Sequence, residues 1–392
     1  MIARRWFNPL LYALVLIGLN MRPLLTSIGP LLPTLRQATG LSFGGAALLT
    51  SLPVLMMGLM ALAGGAISRC CSERAGILLS LLAIGLGALW RELAPGSTQL
   101  LLSAVLGGLG IGVIQAMMPG IIKQHFLKQM ALVAGLWSAA LMGGGGLGAA
   151  ITPWLTSNGA DWHRALAWWA LPALLAAMVW LVISRGLGRL PQPKWVQATR
   201  MLRNPRAWLL GLYFGLINGG YTSLIAWLPP YYMQLGWQAQ ASGALLALMT
   251  AGQVAGALLL PALARSTDRR PLLLLALAMQ LVGLIGLIYQ PQTLPWLWAL
   301  LAGLGLGGAF PLCLVLALDH IAHPAMAGRL VAFMQGIGFL LAGVTPYLSG
   351  LLRDYSGSFV LDWQIHALLV LALMALTRRF DPRSYRRAFG ES

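Results

Sequence analysis

The sequence predicts an all-α membrane protein: twelve transmembrane helices in two pseudo-symmetric six-helix bundles. Three observations predict it. The 392 residues are 58% hydrophobic and only 9% charged, whereas a soluble domain carries about 25% charged residues to cover its wet surface. The apolar residues gather in runs close to the roughly 20 residues that a helix needs to cross the hydrocarbon core, with none of the short alternating segments of transmembrane strands. The second half of the chain also repeats the first.

Taken in order, the runs place spans near 9–32, 43–68, 75–93, 98–121, 131–155 and 163–184. The first begins like a signal peptide, but its apolar run continues past Leu32 without a small-residue cleavage site, so it reads as a retained helix. A polar, basic segment at 185–206 follows, and then spans near 207–230, 242–264, 271–289, 294–318, 329–351 and 363–377. The expected organisation is a bundle over 1–184, a cytoplasmic linker over 185–206, and a second bundle over 207–392 that ends in a short cytoplasmic tail.

Charge placement orients this map. Of the 26 Lys and Arg residues, 21 fall in segments on the side of the termini, four (Arg36, Arg91, Arg164, Arg353) fall on the other, and Arg22 lies inside a span. Cytoplasmic loops are the ones enriched in Lys and Arg, so both termini are expected in the cytoplasm of a bacterial inner-membrane protein. Tryptophans near span ends, among them Trp90, Trp154, Trp208 and Trp296, agree with rings at the membrane interface. The formal charge of +17 therefore encodes topology, and nucleic acid is not an expected partner.

The repeat is visible residue by residue. TSIGPLLP at 26–33 aligns with TSLIAWLP at 222–229, and GLGIG at 108–112 with GLGLG at 303–307, the latter two each followed thirteen residues after the last glycine by His125 or His320. LVA at 132 and 330 and TP at 152 and 345 mark spans five and eleven. An even number of spans per repeat makes the halves parallel, related by an axis along the membrane normal, with a cavity between them. That is the architecture of a carrier, expected here as a monomer in a lipid bilayer.

Arg22 is the sharpest chemical signal. It lies 14 residues from both Asn8 and Arg36, about 21 Å from either at 1.5 Å per residue, which is the bilayer midplane. A guanidinium there is costly unless it faces a wet cavity or a partner. The nine acids all fall in loops or at span ends, so the missing counter-ion reads as the substrate, an anion held by a forked donor. The repeat sets Asn218 opposite Arg22. Asn20, Thr26, Gln115, Tyr221, Gln253 and Gln335 complete the candidate binding residues, although such groups also serve as interhelical contacts. Pro23 and Pro30 are expected to break the first span and free backbone groups near the site. With no carboxylate or histidine expected at mid-membrane depth, a proton relay is not expected, and uniport and anion exchange both fit.

Other motifs exclude other chemistry. Two G-x-G-x-x-G matches, Gly143–Gly148 and Gly303–Gly308, lie inside spans, where glycines let helices approach closely, and not in a strand–helix turn. Cys70, Cys71 and Cys313 have neither metal nor disulfide spacing. Neither a metal nor a cofactor is expected, and nothing points to an enzyme. Asp319, His320 and His323 read as an interfacial cap at the end of span ten.

Twelve spans in two parallel repeats resemble the major facilitator superfamily, whose acidic and Arg-rich loop motif has reduced copies in SRCCSERAG at 68–76 and ARSTDRRP at 264–271. More specifically, NMRPLLTSIGPLLPTLRQATG at 20–40, GLWSAALMGGGGLGAAITPW at 135–154, YFGLINGGYTSLIAWLP at 213–229, GLGLGGAFPLCLVLALDH at 303–320 and LVAFMQGIGF at 330–339 resemble the bacterial cyanate permease family, whose members also carry nitroimidazole-type compounds. The resemblance implies a transporter of cyanate, a linear monovalent anion that suits one midplane Arg. The alternatives are a carrier of another small anionic or aromatic compound, or a membrane sensor that binds without transport.

Overall fold

The structure is a computed structural model that describes residues 9–94, 96–126, 130–186, 199–264, 266–321 and 324–389. Among these there are no strands and twelve helices long and apolar enough to cross a membrane. They are α1 (Pro9–Thr39), α2 (Phe43–Cys70), α3 (Glu73–Trp90), α4 (Ser97–His125), α5 (Met130–Ser157) and α6 (Trp162–Ile183). The second set is α7 (Pro205–Gln234), α8 (Ala239–Ala262), α9 (Arg270–Tyr289), α10 (Pro295–Asp319), α11 (Pro324–Ser356) and α12 (Val360–Thr377). Most of the expected linker, and His323 with it, lies outside the described residues.

Local chemistry sets the helix ends. Ser42, Asp161 and Asn204 accept from the backbone N–H of Gly45, Arg164 and Arg206 at 3.0, 2.9 and 2.8 Å, satisfying first-turn donors that have no partner within the helix. Several ends differ from the hydropathy limits. The first span runs on to Thr39, closed by Gly40 at φ +69, α7 carries Pro229 and Pro230 inside and ends at Gln234, α11 is 33 residues long, and α12 begins at Val360. Hydropathy senses the lipid-depth core, whereas helical hydrogen bonding extends past it into polar turns.

The packing obeys the repeat. In the first half α1 packs on α5, α2 on α4, α3 on α4 and α6; in the second, α7 packs on α11, α8 on α10, α9 on α10 and α12. The most extensive pairings between the halves are α2 with α11 and α5 with α8, and the repeat exchanges one pair for the other. The first span and α7 are the most enclosed, with 78% and 83% of their apolar stretches buried, while α12 has 33%. The broken α1 and the intact α7 therefore meet at the centre, and α3, α6, α9 and α12 face outward.

We call the side of Pro9 and Thr377 the terminal face and the side of Thr39 and Gln234 the distal face. On the distal face the halves are joined. The amides of Phe43 and Gly44 donate to the Asp354 carboxylate at 3.2 and 3.0 Å, and the Phe43 ring sits 5.8 Å from Trp227 and from Phe359. The guanidiniums of Arg36 and Arg353 lie 3.5 and 4.7 Å from the same ring. Among the described residues, the hydrogen bonds between halves are those two on Asp354.

Candidate functional site

Beyond Leu19 the first span continues as three short helical pieces, because the chain supplies proline at the start of each: Pro23, Pro30 and Pro33. Proline has no N–H and clashes with the preceding turn, so the helix that begins at Pro9 ends at Leu19 and restarts at Pro23. Arg22 sits at that restart, 4% exposed. The glycines of α5 make room for the break. A side chain on Gly148 would meet Pro23 Cα at 2.8 Å, and one on Gly144 would collide with the Leu19 carbonyl. The glycine run 143–148 thus performs the close approach expected of it.

Arg22 faces a cavity between the halves. Its guanidinium lies 5.1 Å from the centre of the Tyr221 ring, its Nε is buried without a hydrogen-bond partner, and among the described residues it forms no ion pair. Gln115 of α4, Asn218 and Tyr221 of α7, and Gln253 of α8 line the same cavity, so five of the eight candidate residues converge there. Asn218 is held by its own helix, donating Nδ2 to the Phe214 carbonyl at 2.8 Å, which leaves its amide oxygen toward the space. Gln253 is positioned by close contact, because Gly307 of α10 presses on the Gln253 backbone.

The other three candidates are placed differently. Asn20 donates to the Leu16 carbonyl at 2.8 Å and Thr26 to the Arg22 carbonyl at 3.2 Å, so both serve the backbone of the broken span. Gln335 of α11 is not among the lining residues. Its counterpart under the LVA alignment, Trp137 of α5, does line the cavity, and its indole Nε1 is buried without a partner. The repeat carried that signal, since position 335 maps onto 137. Ser138, Met142 and Phe310 also contribute to the wall.

The cavity gathers unpaired polar atoms. Arg22 Nε, Trp137 Nε1, Gln115 Oε1 and both amide atoms of Gln253 are buried without partners. Native proteins pair nearly all such atoms, and leaving one unpaired costs about 1–3 kcal/mol, so four residues with open polar atoms around one space mark a binding site. The cavity volume is about 20 Å³. Since one water needs about 10–15 Å³ on that measure, the space in this conformation suits a molecule of a few heavy atoms.

Two expectations need correction. Arg91, counted among the outer loop charges, is fully buried and donates to the Leu24 carbonyl at 3.2 Å and the Ser103 hydroxyl at 3.3 Å; the carbonyls of the broken span draw it inward. A buried acid and imidazole are also present. Asp362 and His366, 3% and 5% exposed, approach to 3.6 Å on α12. The His366 ring reaches within 3.8 Å of the Cβ position of Gly220, the middle of α7. Sequence distance from a span end understates its depth, because α12 starts three residues earlier than hydropathy places it.

At the terminal face the second half carries an ionic cluster: Arg269 on Asp319 at 2.8 Å, and Arg270 on Asp268 and Asp381 at 2.8 and 3.2 Å. The Arg270 hydrogen bonds hold Asp268 below the usual carboxylate range. The tail helix Tyr385–Phe389 closes over it, with Tyr385 stacked 3.9 Å from His320. Burial pushes His320 down to about 4, so the ring is a neutral packing group. Asp319 and His320 are thus structural parts of a helix end.

A family model described as the Major Facilitator Superfamily matches residues 10–346. The cyanate transport protein CynX of Escherichia coli strain K12 is 61% identical over 95% of this chain and 97% of the relative. The 2-nitroimidazole transporter of the same organism is 30% identical over 94% of this chain and 93% of the relative. Among solved structures a D-xylose–proton symporter superposes with a TM-score of 0.75, covering 95% of this chain and 97% of the other at 15% identity, a likeness of fold alone. The chain is thus a multi-pass membrane transporter, not an enzyme, and it belongs to the Major Facilitator Superfamily.

Proposed function

We propose that the protein transports cyanate across the bacterial cytoplasmic membrane by alternating access between two six-helix bundles, with Arg22 as the anion-binding residue. The observation that carries this reading is a guanidinium buried at the centre of the bundle that faces a cavity and, among the described residues, has no carboxylate partner. A lone buried cation costs several kcal/mol, and a compact monovalent anion removes that cost each time it binds. Trp137 and Gln253 offer neutral donors to the same ligand, and the 61% identical relative is a cyanate transport protein.

The contacts between halves support alternating access. The Phe43–Asp354 junction closes the distal face, and rocking about the α2–α11 and α5–α8 pairs would open it while closing the terminal face. The distribution of Lys and Arg makes the terminal face cytoplasmic. An anion bound in this conformation would then leave toward the cytoplasm.

The test is uptake of labelled cyanate into liposomes that hold the purified protein, with protein-free vesicles giving the leak of the neutral acid. Uptake should saturate, and Arg22→Gln should lower it about 100-fold, the loss of a charge-assisted contact. Uptake that Arg22→Gln leaves intact would refute the site. Competition by 2-nitroimidazole, a ring too large for the present space, would turn the substrate assignment toward aromatic compounds.

A further inference from the structure

The second half buries two ionisable groups for which anion binding at Arg22 has no use. Of the residues in α12, only Asp362 and His366 are ionisable, and both turn away from lipid. The lipid side of the same helix is Leu361, Ile365, Leu368 and Leu371. His366 Nε2 lies 3.6 Å from Asp362 Oδ1, one helical turn away. The other carboxylate oxygen, Oδ2, is buried with no partner.

Among the described residues, the surroundings are polar but carry no compensating charge. From α9 comes Gln280, neutral, its Oε1 also unpaired. From α7 come Gly220, whose missing side chain admits both His366 and Gln280, and the phenol of Tyr231, which is committed to the Leu287 carbonyl at 2.7 Å. From α11 comes Ser349, whose hydroxyl faces the Asp362 carboxylate and is linked to Ser223 of α7 at 3.0 Å. Toward the distal face α11 also brings Arg353, whose guanidinium sits 5.3 Å from the Phe359 ring. On α9 the nearest cation in the chain is Arg270, at the opposite end of that helix.

An acid and an imidazole paired in this way, with only neutral groups around them, share protons as a unit. With one proton the pair is neutral overall, and with none it leaves a buried negative charge, which is costly in such an interior. Arg22 lies across α7, its guanidinium over Tyr221 while His366 abuts Gly220. When the cavity is empty, the Arg22 charge favours the deprotonated pair. When an anion neutralises Arg22, that support vanishes and the pair takes up a proton. Across one helix, about 10–12 Å, at an effective dielectric of about 20, the coupling is worth about one pH unit, or tenfold in affinity.

The distal junction supplies the gate. Phe43 closes against Phe359, one turn before Asp362 on the same chain segment. Parting the halves at Phe43 uncovers Phe359 and brings distal water to Asp362 as the cavity opens to the same side. We propose that Asp362 and His366 form a proton-binding site that couples anion transport to proton movement, making the protein a proton–anion symporter. The proton enters from distal water onto the Asp362–His366 pair and leaves to water after the halves rock, with no bond made or broken except to that proton. The inference rests on Arg22 as the anion site.

Two measurements test it. In proteoliposomes with a pH-sensitive dye inside, inward cyanate flux should acidify the lumen beyond the protein-free leak. Asp362→Asn should abolish the acidification and accumulation against a gradient while retaining exchange of labelled cyanate within about threefold, and Asp362→Glu should restore both. Protein-mediated cyanate flux without acidification, or acidification that survives in Asp362→Asn, would overturn the proposal. The second measurement needs no substrate: infrared difference spectra of the purified protein between pH 5 and 8 should show a protonated-carboxyl band that Asp362→Asn lacks. If the intact protein carries no cyanate, the substrate reading fails and this band alone decides the proton site; its absence overturns the proposal.

Discussion

The first span and α7 occupy the same place in the repeat, yet they have diverged in backbone and in charge. Prolines break the first span around Arg22, whereas α7 runs for 30 residues without interruption and sets Asn218 at the matching position. The divergence extends to their neighbours. Against the first span, α5 lays glycines on backbone atoms; in α7 itself, a side chain on Gly220 would meet the amide end of the Gln280 side chain, at 3.0 Å. His125 and His320, repeat partners on α4 and α10, differ likewise: one is exposed and the other sealed beneath the tail. A duplicated scaffold thus carries a fixed cation on one side and a neutral wall on the other, and behind that wall lies a buried acid–imidazole pair.

Exchanging the two central residues tests whether the asymmetry matters. The double variant Arg22→Asn/Asn218→Arg keeps the charge inventory but moves the guanidinium to an unbroken helix, and anion uptake should stay about 100-fold below normal. Recovery to within tenfold would show that the break in the first span has no role in presenting the charge.

The histidine pair gives the next effect. The neutral His320 ring contributes fully above its unfolded pKa of about 6.5, and this contribution fades as pH falls toward the folded value of about 4, a loss of about 2–3 kcal/mol. The thermal midpoint of the detergent-solubilised protein should drop between pH 7 and 4.5. His320→Phe should flatten that drop, and His125→Phe should leave it unchanged. Equal effects of the two would erase the distinction between the halves at this face.

The glycines come third. Gly148→Ala forces a methyl against the Pro23 backbone and should destabilise by about 1–3 kcal/mol, read as a lower thermal midpoint. Gly220→Ala meets only a flexible amide and should cost less. The smallest effect is expected from Asn218→Ala, which removes one neutral hydrogen-bonding group and should reduce uptake about fivefold. A loss as large as that of Arg22→Gln would mean the second half binds as strongly as the first.

Much of this molecule is written in local sequence. Twelve spans follow from apolar runs, because lipid permits only structures that satisfy their own backbone. Arg22 stood out as a charge in a span that holds no acid, and the prolines beside it predict the break. Gln115, Asn218, Tyr221 and Gln253 were legible as polar residues inside apolar spans. Trp137 was not, because an indole reads as apolar until its N–H is found buried and unpaired.

What the sequence by itself determined is the class of protein, the number of helices, the repeat, and the presence of one uncompensated cation at mid-depth. These depend on composition and on spacing along a single helix. Only the tertiary structure decided which polar residues share a cavity, that Arg91 turns inward to Leu24, and that Asp362 and His366 lie against the middle of α7. Those facts depend on how far helices slide and rotate against one another. Packing across the halves sets that offset, and distance along the chain does not encode it.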